Sequence, residues 1–409
     1  MSGGGVFRSL AARNFRIWSM GAVVSNIGAW MQRIAQDWLV LTELTHHDAA
    51  AVGVVTALQF APQILLLPWT GYAADHLDRR RLLFATQGAM GLLALGLGAL
   101  TILGIARVWH VFVFAFLLGC AAAFDAPVRQ TFVADMVDEA NLANAVALNS
   151  TSFNASRLVG PAAAGLLISA VGPGWVFIVN AASFVAVLIS LALVRGDELR
   201  PRAAPHAASG GVTAGLRYVL HDPELRTLCA MLMLFGSLGL NFPVFISTMA
   251  VSVFHLPASG FGLLTSAMAV GSVSGAMLAA HRERPTIAVI ASGAALFGLG
   301  YATAAVMPNA LLFGLLLVLV GAASQTVTTS TMGLAQLSAD PAMRGRVMAL
   351  LIALAFGGQL AGAPLAGWIA NMAGPRWALG LGAFAGIATA AIGVRHLARR
   401  RSITETAQT

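Results

Sequence analysis

The 409-residue chain is 58% hydrophobic and 10% charged, against about 25% charged residues in a soluble domain. With a mean hydropathy of +0.80, it has too little polar surface to face water on all sides, so lipid must solvate most of it. All 24 basic residues are arginine, which excludes a GxxxxGK[ST] phosphate loop and a lysine Schiff base.

The net charge of +8 fits basic loops against an anionic leaflet better than nucleic acid. Cys120 and Cys229 stand alone in apolar stretches and read as buried thiols, not as metal ligands. Met1 to Asn14 reads as a cytoplasmic start, not a cleaved leader.

Apolar runs long enough to span a bilayer are predicted near 15–41, 50–74, 83–105, 109–126, 145–171, 175–194, 225–250, 259–280, 286–306, 311–333, 346–371 and 377–397. With the N-terminus inside, twenty arginines fall in cytoplasmic segments. Only Arg107 and Arg376 fall outside, and Arg33 and Arg157 lie within helices. This asymmetry predicts that both termini are cytoplasmic. The longest polar stretch divides the chain into 1–194, a linker at 195–224, and 225–409. Within the linker, Val212–His221 predicts a short helix with Leu216, Val219 and Leu220 on one side, lying on the membrane surface or forming a solvated connection.

The two halves repeat. An offset of 202 residues carries Gly160 to Gly362, Gly165 to Gly367, Gly172 to Gly374, Pro173 to Pro375 and Trp175 to Trp377. A recurring Gly-Pro-x-Trp predicts a parallel six-plus-six duplication, so the expected fold is an all-α membrane protein of twelve helices in two pseudo-symmetric bundles.

Several membrane segments carry polar groups, each costly enough to need a reason. Asn26, Arg33 and Asp37 share one face of the first span, where Arg33 and Asp37 are one turn apart and able to pair. Gln32 and Gln36 lie on an adjacent stripe. Asp37 is the first candidate for a proton-coupling carboxylate, with a structural ion pair as the alternative. Asp125 and Arg129, also one turn apart, close the fourth span and read as structural or as a second coupling pair. Arg157 and Asn154 lie early in the fifth span, where Arg157 either neutralises an anionic substrate or locks a helix pair. Gln59, Gln63, Asn180, Asn241, Gln325 and Gln359 are cavity candidates or interhelical hydrogen-bonders.

The loop Gly71-Tyr72-Ala73-Ala74-Asp75-His76-Leu77-Asp78-Arg79-Arg80-Arg81 resembles the signature loop of the major facilitator superfamily, with His76 and Asp78 departing from it. Gly71 is expected to permit close helix packing, Asp75 to cap a neighbouring helix, and Arg79, Arg80 and Arg81 to pair with it or with lipid phosphates. The resemblance implies a gating loop that also engages Arg129. Gly160-Pro161…Gly165 and its repeat partner Gly362…Pro364…Gly367 resemble a small-residue motif of exporter branches.

Asn14-Phe15-Arg16-Ile17-Trp18, Ala126-Pro127-Val128-Arg129-Gln130, Asn144-Ala145-Val146-Ala147-Leu148-Asn149 and Arg344-Gly345-Arg346 resemble the enterobactin-exporter and macrolide-efflux branch. That resemblance implies proton-driven export of a small molecule by a monomer in the bacterial inner membrane, with the proton gradient as energy source and no cofactor. An importer of the same fold and a non-transporting membrane sensor remain open. An ATP-driven permease lacks this duplication, and no clustered catalytic groups point to an enzyme.

Overall fold

The computed structural model describes residues 5–200, 212–281, 284–341 and 343–406, and every regular element among them is helical. A helix satisfies its own backbone donors and acceptors, which lipid cannot do. In chain order the helices are α1 (Arg13–Trp38), α2 (Ala49–Leu65), α3 (Leu67–His76), α4 (Arg79–Ile102), α5 (Val108–Asp135), α6 (Glu139–Val171) and α7 (Pro173–Leu193). There follow α8 (Val212–His221), α9 (Pro223–Leu234), α10 (Phe242–Thr248), α11 (Ala258–Ala280), α12 (Ile287–Ala305), α13 (Ala310–Ser338), α14 (Arg344–Ala373) and α15 (Pro375–Thr406).

Nine helices among the described residues are long and apolar enough to cross a membrane, with α9, α10 and their connections counted as one stretch, Pro223–Val253. The remaining expected spans are held by α1, α2 and α6. Of these, α1 and α6 are long but carry the arginines and amides singled out above, and α2 is short. The expected span 50–74 is not continuous: it breaks at Leu66, between Pro62 inside α2 and Pro68 at the start of α3. Proline removes a backbone donor and clashes with the preceding turn. The fourth and fifth spans are longer than expected, running to Asp135 and starting at Glu139.

The chain divides into two compact units. Unit 1 comprises Met1–His46, Leu58–His206 and Pro257–Ser266. Its core joins Phe15, Trp18, Leu83, Val128, Phe132 and Leu191, with Trp18 edge-on to Phe132 at 6.5 Å. Unit 2 comprises His47–Ala57, Ala207–Leu256 and Ala267–Thr409. There Phe297 meets Phe235 at 4.6 Å and Tyr301 at 4.9 Å, and Tyr301 meets Phe245 at 5.3 Å. The expected linker helix is present as α8 in unit 2, where Tyr218 Oη accepts the backbone N–H of Asp340 and Gly215 abuts Arg346.

The repeated Gly-Pro-x-Trp is a one-residue helix turn in both copies. Gly172 (φ +88°) ends α6 and Pro173 begins α7; Gly374 (φ +102°) ends α14 and Pro375 begins α15. With ψ near 160° at both glycines, this is backbone that only glycine adopts without strain. Proline suits the next position because a first-turn N–H needs no partner. Trp175 and Trp377 are exposed, as membrane-interface anchors are.

A second correspondence, at an offset of 209, joins His46 to His255. Both have positive φ (49° and 50°), and each follows a π-helical turn, Leu39–Leu44 in one case and Met249–Val253 in the other.

Candidate functional site

The first span's polar face is built on α1, and α5 and α7 complete it. Arg129 of α5 donates to Asn26 Oδ1 at 2.8 Å and to Asp125 Oδ2 at 2.5 Å. Asp125 is fully buried, and its other oxygen accepts from Gln87 Nε2 at 2.7 Å and Thr86 Oγ1 at 3.0 Å, both on α4. A buried ion pair is stable only when its remaining donors and acceptors are satisfied. Here Asn26 of α1 and Thr86 and Gln87 of α4 do this, beside a small recess lined by Trp18, Ala22, Ser25 and Leu83. The pair therefore lies within α5, six residues before its end, and does not close it. Arg129 engages Asn26, and no bond from it to the described residues of the 71–81 loop is found. Gln87 and Thr86 were not singled out from the sequence, since nothing in their spacing marks them.

Further along α1, Gln32 accepts a hydrogen bond from Asn180 of α7, and the Asn180 side-chain oxygen accepts from Ser183 Oγ at 2.9 Å. Gln36 is buried, and its Nε2 has no partner. The expected Arg33–Asp37 ion pair is not formed. Arg33 turns back one helical turn to lie over Trp30, with its Cζ 4.8 Å from the ring centroid. Arg157 of α6 approaches the same ring at 5.6 Å. Asp37 is buried, and no ion pair or hydrogen bond to its side chain is found among the described residues.

At the other end of unit 1, Arg79 pairs with Asp135 at 2.6 Å. Arg80 donates to the carbonyls of Leu191 and Ala192, both at 3.0 Å, where α7 runs out of internal donors. Asp78 caps α4 by accepting the backbone N–H of Arg81 at 2.7 Å, which accounts for an aspartate where the superfamily favours glycine. The packing expected at Gly71 is absent, because a Cβ there would meet nothing within 4 Å. The side chain of Asp75 lies outside the described residues.

The exporter-type motif sits where backbones touch. In unit 1 a Cβ at Gly160 would strike Trp30 Cβ at 2.6 Å, and one at Gly165 the Ala258 carbonyl oxygen at 2.5 Å; Pro161 is buried, with its carbonyl against Gly262. In unit 2, Gly362 faces the Ser237 carbonyl, Gly367 faces the Ala49 carbonyl, and Gly53 abuts Ala363 and Pro364.

The remaining amides divide. Asn154 donates to the Ser150 carbonyl one turn back and Gln325 to Thr329, so both are spent within their own helices. Gln59 and Gln63 are half-buried and Gln359 is buried. Asn241 is buried in the break before α10, with its Oδ1 unpartnered. Among the described residues no cluster of three His, Cys, Asp or Glu could hold a metal.

Long apolar helices, close small-residue crossings and a buried polar spine define a multi-pass membrane protein of the major facilitator fold. Solved transporter structures superimpose along nearly the whole chain. A POT family transporter solved with 5-aminolevulinic acid gives a TM-score of 0.75 at 12% identity, covering 96% of this chain and 97% of that one. A bacterial homologue of the human lysosomal transporter Spinster gives 0.72 at 16%, covering 94% and 95%.

The chain belongs to the transmembrane secretion effector family, which matches residues 5–408. It is 28% identical to the staphyloferrin A transporter of Staphylococcus aureus, over 60% of this chain and 62% of that protein, which is less than two thirds of the relative's length. Two longer matches are the multidrug efflux pump Tap of Mycolicibacterium fortuitum (27%; 86% and 88%) and the enterobactin exporter EntS of Citrobacter koseri (24%; 82% and 80%).

Proposed function

We propose that this protein is a secondary active transporter that exports a small amphipathic molecule across the bacterial inner membrane by alternating access, driven by the proton gradient. In this reading twelve spans form two six-helix bundles, 1–194 and 225–409, joined by a cytoplasmic linker at 195–224, and both termini are cytoplasmic. The exporter and efflux names of its long-matching relatives carry the direction.

The placement of the two membrane carboxylates supports a division of labour. Asp125, held by three donors, fixes α4 to α5. Asp37, buried with none of these bonds, is the group free to take up and release a proton, and Arg33 beside it in sequence responds to the change of charge. No cofactor enters this scheme.

The test is efflux of a panel of amphipathic compounds from cells with and without the protein, repeated with an uncoupler. Lower accumulation that the uncoupler abolishes is expected. Protein-dependent accumulation inside the cell would instead establish the importer.

A further inference from the structure

Trp30 receives two guanidiniums from two helices. Arg33 reaches it from the next turn of α1 and Arg157 from α6, at 4.8 and 5.6 Å from the ring centroid. The indole is held in place. Gly160, one turn beyond Arg157, brings the α6 backbone against Trp30 Cβ, and Phe153, one turn before it, meets the ring edge-on at 5.9 Å. Among the described residues neither guanidinium makes a hydrogen bond or an ion pair within 4.0 Å. Arg33 is exposed and Arg157 half-buried.

Two cations therefore share one ring, with Asp37 as the one carboxylate within a turn of either in sequence, and a local excess of positive charge remains. A charge within a span is costly to hold there, and a cation–π contact returns only part of that cost. The ring does not cover the cost of both arginines. Guanidinium presents paired donors that match a carboxylate, and an indole face stacks on flat apolar groups. The unpartnered amide nitrogen of Gln36, one turn along α1, is a further unused donor.

We propose that Trp30, Arg33 and Arg157 form a receptor in unit 1 for the carboxylate of an aromatic organic acid, the anionic part of the transported molecule. This deepens the transport reading and rests on it.

The experiment measures binding to the purified full chain by equilibrium dialysis with radiolabelled benzoate and 2-naphthoate, each against its neutral amide. The wild type is expected to prefer acid to amide by about tenfold, as one charge-assisted hydrogen bond provides. Arg33→Gln and Arg157→Gln remove the preference by weakening the acid alone, Arg33→Lys keeps part of it, and Trp30→Leu weakens acid and amide together. A wild type that binds acid and amide equally, or binds neither, overturns the receptor. So does a monodisperse Arg157→Gln protein with wild-type acid affinity. If the glutamine variants fail to fold, the acid–amide comparison in the wild type decides.

A lipid phosphate is the rival occupant. Loss of acid binding when phosphatidylcholine nanodiscs are replaced by phosphatidylglycerol ones assigns the site to a headgroup and rejects the proposal. Dialysis needs no gradient and no second compartment, so failure of export or of proton coupling leaves its outcome standing. Uncoupler-sensitive efflux of a neutral compound, without acid binding, removes the receptor and leaves the transporter.

Discussion

Asn14 and Arg195 exchange two hydrogen bonds. Asn14 Nδ2 donates to the Arg195 carbonyl and the Arg195 backbone N–H donates to Asn14 Oδ1, both at 3.0 Å. One side chain at the start of α1 thus satisfies both backbone polar groups of Arg195, just past the end of α7. Asn144 does the same for the N-terminal segment, accepting from Ser9 N–H and Oγ and donating to the Val6 carbonyl.

Replacing Asn14 with leucine removes both bonds and leaves the Arg195 groups unmatched, a loss of about 1–3 kcal/mol. Thermal unfolding in detergent should show a lower Tm for Asn14→Leu than for Asn14→Asp, which keeps the acceptor. Equal Tm values for the two variants would show that these bonds carry no stability.

Asp78 acts as a helix cap. Asp78→Ala should cost about 1 kcal/mol and Asp78→Gly only a few tenths, read as Tm, while Asp78→Asn should match the wild type. A transport defect in Asp78→Asn at unchanged Tm would instead require the charge itself.

Asp37→Asn should abolish uphill, uncoupler-sensitive efflux while leaving substrate binding and downhill exchange intact. Vesicles with an imposed proton gradient separate these activities. Continued gradient-driven transport by the variant places the proton elsewhere, with Asp125 the next residue to test.

Gly172→Ala and Gly374→Ala place a Cβ on backbone that non-glycine residues adopt at a cost of about 1–3 kcal/mol. Both should unfold at lower temperature than the wild type, although a Cβ at either position would meet no described atom within 4 Å. A wild-type Tm in both would mean that the turn relaxes freely.

Topology is tested with single cysteines in a background lacking Cys120 and Cys229. An impermeant thiol reagent added to intact cells should label His47→Cys and not Glu139→Cys, both exposed positions. The reverse pattern inverts the orientation.

Much of this architecture is visible in the chain itself, because lipid demands long apolar helices and the Gly-Pro-x-Trp repeat leaves a mark at a constant spacing. The α8 helix was legible from three apolar residues on one side. The expected spans least marked by hydropathy are α1, α2 and α6, and α1 and α6 carry Trp30, Arg33, Asp37 and Arg157 of the candidate site. Side-chain choices were less legible. From spacing alone, Arg33 has two neighbours one turn away, Trp30 behind and Asp37 ahead, and the ring was chosen. Asp125 was legible only as the partner of Arg129, because Gln87 and Thr86 stand 38 and 39 residues away on the preceding helix. Gly71 kept the spacing of a packing glycine, yet a Cβ there would meet no described atom within 4 Å, so a shared motif position does not guarantee a shared contact.

The one-residue turns at Gly172 and Gly374 also bear on how the protein is made. A single glycine separates α6 from α7 and α14 from α15, so no loop is available to be drawn out between the helices of either pair. Each pair is therefore a tight helical hairpin, and one chain carries two of them at the same place in its repeat.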